Sequence, residues 1–502
     1  MLKQKFVIDF VSKFAIQFIT ASAGIAVARI AGPEVLGVIA FATAYVSIFL
    51  FITGLFGSAH IKLVSEGENE KDCLTTYSWL LGISIIIYLI VVLCTFFVQK
   101  FVFQKVFSGI GTEYVILIIL FSTIIATVFN FSETVFIAKT EQAKSNLPNL
   151  IRSIIENILR VLVVFLGFGA IALASVKVLS FLLAFPLIIF LFKGKKFGKF
   201  NKEIAKKYWH IALPIFVIVI TNSLMMYSDK IILEYFGSTK EIGIYTAAFS
   251  IAGMLIILGN TAGTVFFPLF SSLVATNKLD IIKSKVWQFE RFLFLIIFPV
   301  IISLSLFSYP IMVSLLGIKY EESAPLFSLL IFSSFFAIWG MPYGNIIEGL
   351  GLFWLSSLIN FLKFLVFITT LLILIHPDIF NLGAMALAIT QLTINLFLFI
   401  AYYFISFRKI KIQYIKYQLH FLLYGFLVYL LAYYYLVPNL ESLSIYFQTF
   451  IILPVFTVAI IAFQSFFGLF RKSDVKFFLQ LINLKKNIDY VKEEIKGNSH
   501  NV

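Results

Sequence analysis

The chain has 502 residues, of which 61% are hydrophobic and only 13% charged, whereas a soluble chain carries roughly 25% charged residues. No soluble fold hides that much apolar surface, so lipid is the solvent for most of the molecule. The net charge of +14 does not imply a nucleic-acid partner, because the basic residues lie in short clusters between apolar runs, where topology signals of membrane proteins sit.

Apolar runs of about 20 residues recur from end to end and predict about fourteen transmembrane helices in an all-α integral membrane fold. In chain order they fall at 6–30, 35–58, 76–98, 114–138, 148–168, 170–192, 209–236, 243–268, 288–308, 323–347, 353–375, 382–405, 417–437 and 447–470. The first carries Asp9, Lys13 and Gln17 and is too long and too polar for a cleaved leader. Lys and Arg concentrate on the side of the amino terminus, which predicts that both termini are cytoplasmic. The heaviest cluster, seven lysines between Lys193 and Lys207, joins the sixth and seventh helices. The organisation read from this is a six-helix lobe at 1–192, a basic linker at 193–208, a second six-helix lobe at 209–405, two additional helices at 406–470 and a basic tail at 471–502.

Two lobes of equal size should leave a repeat. Glu34-Val35-Leu36-Gly37 near the start of the second helix is answered by Glu241-Ile242-Gly243 near the start of the eighth. Asn157-Ile158-Leu159-Arg160 in the fifth is answered by Asn360-Phe361-Leu362-Lys363 in the eleventh. Gly169-Ala170-Ile171-Ala172-Leu173-Ala174 at the sixth is answered by Gly383-Ala384-Met385-Ala386-Leu387-Ala388 at the twelfth. Because six helices return the chain to the same side, the halves are expected to be parallel repeats, related by an axis along the membrane normal.

Ala28-Arg29-Ile30-Ala31-Gly32-Pro33-Glu34-Val35-Leu36-Gly37, together with Ser228-Asp229-Lys230-Ile231-Ile232-Leu233 and Glu241-Ile242-Gly243-Ile244-Tyr245-Thr246-Ala247-Ala248, resembles the signatures of the polysaccharide biosynthesis, or Wzx-like, flippases. These belong to the multidrug/oligosaccharidyl-lipid/polysaccharide exporter superfamily, which includes the MATE transporters. The resemblance implies two six-helix lobes around a central cavity, often with two further helices at the carboxyl end, and movement of a lipid-linked oligosaccharide from the cytoplasmic to the outer leaflet of a bacterial inner membrane. The expected partners are the lipid-linked oligosaccharide and the bilayer; a polysaccharide polymerase or ligase is a candidate partner on which the sequence does not decide.

Charges inside spans narrow the candidate site, since a charge at mid-membrane costs about 2.5–3.5 kcal/mol and turns to the bundle or a wet cavity. Asn149, Arg152, Ser153, Glu156, Asn157 and Arg160 share one face of the fifth helix, and Arg160 lies about 18 Å along the axis from Pro148. Lys363, with Asn360 and Ser356 on its face, holds the equivalent place in the eleventh, and Lys177 is the third deep cation. Arg160, Lys363, Lys177, Asn157 and Asn360 are therefore the expected cavity residues, suited to a pyrophosphate. The alternatives are an Arg152–Glu156 pair with Arg160 reaching toward the interface, and carboxylate partners for the lysines on other helices. Glu133, Asp229, Lys230, Asp9 and Lys13 are candidates for a gate or ion coupling, with structural pairing as the alternative.

Catalysis has no support. The two cysteines, Cys73 and Cys94, and the five histidines are scattered, which leaves no metal site, and no phosphate-cradling loop is present, so neither cofactor nor metal is expected. Deep carboxylates would favour a multidrug antiporter of the same superfamily, and long outward loops a membrane glycosyltransferase or polymerase. The deepest charges are basic and the outward loops short.

Overall fold

The computed structural model describes residues 2–464 except 103–106, 108, 110, 140, 257–265, 267–268, 275, 412–414 and 441, and a few helical side chains, including those of Asp9, Lys13 and Gln17, also lie outside the described residues. Every regular element among the described residues is a helix. The described residues form two compact units, which divide between Gly243 and Ile244.

The first unit contains α1 (Leu2–Ser47), α2 (Gly57–Ser65), α3 (Glu70–Phe97), α4 (Thr112–Ala138), α5 (Gln142–Phe165), α6 (Ala170–Phe192) and α7 (Lys202–Phe236), and the chain then enters α8 (Thr239–Gly253). The first two helices expected from hydropathy follow one another within α1, which is two helices divided by a kink at Gly32, whose φ of 83° and ψ of 170° are not helical and which is followed by Pro33. Glycine takes that dihedral without a Cβ penalty and proline has no N–H for the ladder, so the break is local.

The basic segment after α6 is stapled along the start of α3. The Gly198 N–H donates to the Lys71 carbonyl at 3.0 Å, the Lys199 N–H to Asp72 Oδ1 at 2.9 Å and the Asn201 N–H to Thr76 Oγ1 at 3.2 Å. Asn201 then caps α7, accepting from the Glu203 N–H at 2.9 Å, as an Asn with a free side-chain oxygen does at a helix start. Beneath this staple Phe56, Ala59, Leu63, Cys73, Leu80 and Ala212 bury a core joining α2, α3 and α7. His60 sits inside it, 1% exposed, with Nδ1 2.7 Å from the Tyr208 hydroxyl, which donates to the Cys73 carbonyl at 3.3 Å.

Burial pushes the His60 imidazole down from 6.5 to about 4. A base held neutral when folded loses stabilising free energy where only the unfolded chain takes up a proton, between about pH 6.5 and 4, and the full shift is worth about 3 kcal/mol. The melting temperature of the purified protein is expected to fall through that window. In His60→Asn the fall should be shallower, and parallel curves for the two proteins would contradict it.

The second unit holds α9 (Leu279–Leu306), which passes through a widened π turn at Leu293–Ile297. It continues with α10 (Ser308–Leu316), α11 (Ser323–Gly349), α12 (Phe353–Ile375), α13 (Ala384–Ile410), α14 (Ile415–Leu431) and α15 (Ile445–Gln464). Its core is aromatic. Trp339 stacks on Phe399 with centroids 4.0 Å apart, and Phe294 meets Trp339 edge-on at 4.8 Å and stacks on Phe421 at 5.3 Å. Much of the phenylalanine content is thus packing. Gly340 lets α11 and α13 approach, since a Cβ there would stand 3.3 Å from the Phe399 Cα.

Ten described helices are long and apolar enough to cross a membrane, and outward residues such as Leu182, Phe190, Val455 and Val458 are exposed and apolar. The protein is a multi-pass membrane protein. The count of fourteen is not reached among these helices. The first part of α1, α5, α7 and α8 are not among the ten: α5 is too charged, and α8 is described only to its first turns.

Candidate functional site

The charged face of α5 exists because Asn149, Arg152, Ser153, Glu156, Asn157 and Arg160 recur at three- and four-residue spacing. Glu156 is paired with Arg152, whose guanidinium lies 4.6 Å over the Phe181 ring of α6, so the expected i,i+4 pair is present. Arg160 makes no hydrogen bond or ion pair of that kind among the described residues, although the Glu156 charge acts on it. Lys177 of α6 feels the same carboxylate, opposed by Arg160 and Arg152, and its Nζ is 3.4 Å from Thr43 Oγ1 of α1. Three cations therefore share one carboxylate. Asn157 is 4% exposed and donates to the Ser153 carbonyl at 2.8 Å and to Thr20 Oγ1 at 3.2 Å. Its Oδ1 is buried without a partner among the described residues.

In the second unit α12 repeats this turn. Asn360 donates to the Ser356 carbonyl at 2.9 Å and to the Tyr402 hydroxyl of α13 at 3.3 Å. Lys363, one turn on and half-buried, makes no hydrogen bond or ion pair among the described residues. Each unit thus carries a serine, an asparagine bonded back to that serine's carbonyl and across to a hydroxyl on another helix, then a basic residue. No carboxylate partner for Lys363 is seen among the described residues.

The other candidates are dispersed. Glu133 of α4 accepts from Asn149 Nδ2 at 2.9 Å, tying α4 to the start of the charged face. Asp229 of α7 is buried and lies against Lys230, Nζ to Oδ1 3.1 Å. Asp9 and Lys13 lie outside the described residues. No group of three metal-ligating residues forms among the described residues. The basic segment after α6 also shapes a depression of about 400 Å³ lined by Lys139, Lys144, Lys193, Lys195 and Lys196, in which Glu70 bridges Lys139 at 2.5 Å and Lys195 at 3.2 Å.

The two signature glycines meet. A Cβ on Gly37 would lie 1.8 Å from the Thr239 carbonyl oxygen, and one on Gly243 1.8 Å from that of Pro33. At the start of α8 Ser238 Oγ accepts from the Glu241 N–H at 3.3 Å and donates to Glu241 Oε1 at 3.2 Å, which satisfies one of the N–H groups a helix start leaves open.

One constellation escaped the sequence. Glu290 of α9, 1% exposed, accepts from Trp339 Nε1 at 2.8 Å, from Gln418 Nε2 at 2.6 Å and from the Tyr343 hydroxyl. Its position inside the span expected at 288–308 was the available signal.

Two solved membrane transporters share the fold. An inward-facing multidrug resistance MATE family transporter of the MOP superfamily aligns with a TM-score of 0.65 at 15% identity, covering 79% of this chain and 94% of its own. The lipid II flippase MurJ in an inward closed conformation aligns with a TM-score of 0.67 at 18% identity, covering 91% and 98%. At such identities the likeness is one of fold. No curated protein matches the sequence. The model of the family described as polysaccharide biosynthesis protein matches residues 26–325, more than half of the chain, and the chain belongs to that family.

Proposed function

We propose that the protein is a flippase that moves a polyprenyl-pyrophosphate-linked oligosaccharide across the cytoplasmic membrane for polysaccharide biosynthesis, and that it is not an enzyme. The observation that carries this reading is the repeated turn Ser153–Asn157–Arg160 and Ser356–Asn360–Lys363, which leaves one deep cation in each unit without a hydrogen bond among the described residues. A guanidinium grips phosphate oxygens in pairs and an ammonium holds them as a point charge. Lys177, sharing Glu156 with Arg160, would add to the field on the headgroup. The MurJ neighbour, named for lipid II, supports a lipid-linked substrate.

In this reading the six-helix lobes at 1–192 and 209–405 each present a basic residue to the headgroup, with Glu133 and the Asp229–Lys230 pair in gating or coupling. Both termini face the cytoplasm, and a polymerase or ligase receives the product. The test is complementation: expression of the chain in a flippase-deficient strain should restore surface polysaccharide. Drug resistance without polysaccharide would instead favour the antiporter reading.

A further inference from the structure

Glu290 is a buried carboxylate for which the flippase reading has no use. Its Oε1 gathers the Trp339 and Gln418 N–H groups and the Tyr343 hydroxyl, while Oε2 is buried without a partner among the described residues. A carboxylate so enclosed leaves water at a cost of several kcal/mol unless paired. Three donors on one oxygen stabilise the anion, and a proton on the other oxygen removes the charge altogether.

The neighbours decide what Oε2 can take. A metal ion is held by several oxygens, but the three polar groups at this carboxylate point N–H or O–H at it. The titratable and charged groups on the packed elements are few. Tyr343 of α11 is in contact, Tyr403 of α13 lies behind it with centroids 5.1 Å apart, Arg291 follows on α9 with its guanidinium 5.7 Å over Trp287, and His420 stands two residues beyond Gln418 on α14. The helix is also irregular here. The π turn begins three residues after Glu290, and its Phe294 carbonyl accepts from Gln464 Nε2 of α15 at 3.3 Å. Such turns concentrate at functional positions in helices.

We propose that Glu290 is a proton-binding site of the second unit, loaded at Oε2 while Oε1 stays clamped by α11 and α14. On loading, hydronium gives its proton to Oε2 and leaves water and a neutral acid. On unloading, the proton returns to water and the three donors receive the anion. The inference names the driving ion of the proposed flippase and rests on that reading for its role in transport, though not for the titration itself.

The purified full chain is to be titrated between about pH 4 and 9, following the infrared carbonyl stretch of protonated carboxyls and the tryptophan fluorescence. The wild type should show a carboxyl band and a fluorescence step that Glu290→Gln lacks, and Trp339→Phe should lose the step alone. Tyr343→Phe and Gln418→Leu, which keep the carboxylate if the Gln variant does not fold, should move the midpoint up by about one unit or more, since each removes a donor from the charged form. Identical spectra for wild type and Glu290→Gln, or unmoved midpoints in both donor variants, overturn the proposal. A fluorescence step driven by sodium at fixed pH would also overturn it in favour of a metal ion. In the complemented strain, wild-type export should collapse with a protonophore and Glu290→Gln should export at least tenfold less. A chain that titrates as expected but does not complement leaves the proton site standing and the flippase reading overturned.

Discussion

Alanine at Arg160 or Lys363 is expected to reduce polysaccharide export at least about tenfold, the loss of one charge-assisted hydrogen bond of about 1.5 kcal/mol or more, while leaving the protein folded. The two side chains are half-buried cations without hydrogen bonds among the described residues, and the carboxylate whose charge acts on Arg160, Glu156, is already engaged by Arg152. An unpaired charge in a low-dielectric site costs stability, so Lys363→Ala should melt at the same or a higher temperature than wild type even as export falls. Opposite movement of the two readouts is the signature of a residue kept for function. Arg160→Lys should retain partial export, because charge survives and the planar fork does not, and Arg160→Glu should be the worst of the series. A lowered melting temperature with normal export in both alanine variants would make these residues structural.

Alanine at Gly37 or Gly243 is expected to destabilise the protein by at least about 2 kcal/mol, through overpacking that a rotamer change cannot relieve. The atoms a Cβ would strike are backbone oxygens, of Thr239 and of Pro33, each at 1.8 Å, so α1 and the first turn of α8 must move apart. Gly24 of the same α1 has nothing within 4 Å of a built Cβ. Gly24→Ala is therefore the control and should be neutral or stabilising, as alanine is in a helix interior. Melting temperatures of the three variants decide the matter: equal values would mean that the seam yields freely. Export should fall with stability for Gly37→Val and Gly243→Val, which add two further carbons to the same clash.

Hydropathy located the ten described helices that are long and apolar enough to span, because a bilayer imposes one length on every span and satisfied backbone groups on every residue within it. It separated α1 into two because Gly32-Pro33 reads as a link, and the non-helical dihedrals of Gly32 divide α1 into two helices at that point. The repeat led to the equivalence of Arg160 and Lys363, and the matching back-bonds of Asn157 and Asn360 give that equivalence a shared local geometry. What a linear pattern does not hold is which side chains converge from distant helices. Glu290 stands near the end of its span where charges are commonplace, and only packing brings Trp339, Tyr343 and Gln418 to it from residues 49 to 128 positions away. The meeting of Gly37 and Gly243 is of the same kind, since their likeness pointed to descent and said nothing of contact.

The two helices at the carboxyl end have a bearing on modularity. Gln418 of α14 completes the shell of Glu290, and Gln464 of α15 takes up the Phe294 carbonyl in the widened turn of α9. Phe421 stacks on Phe294 between them. A chain shortened after α13 to imitate a twelve-helix transporter would expose a carboxylate, a carbonyl and an aromatic face to lipid together. The terminal pair is accordingly an integral wall of its unit, and grafting or trimming it would require rewriting α9 at the same time.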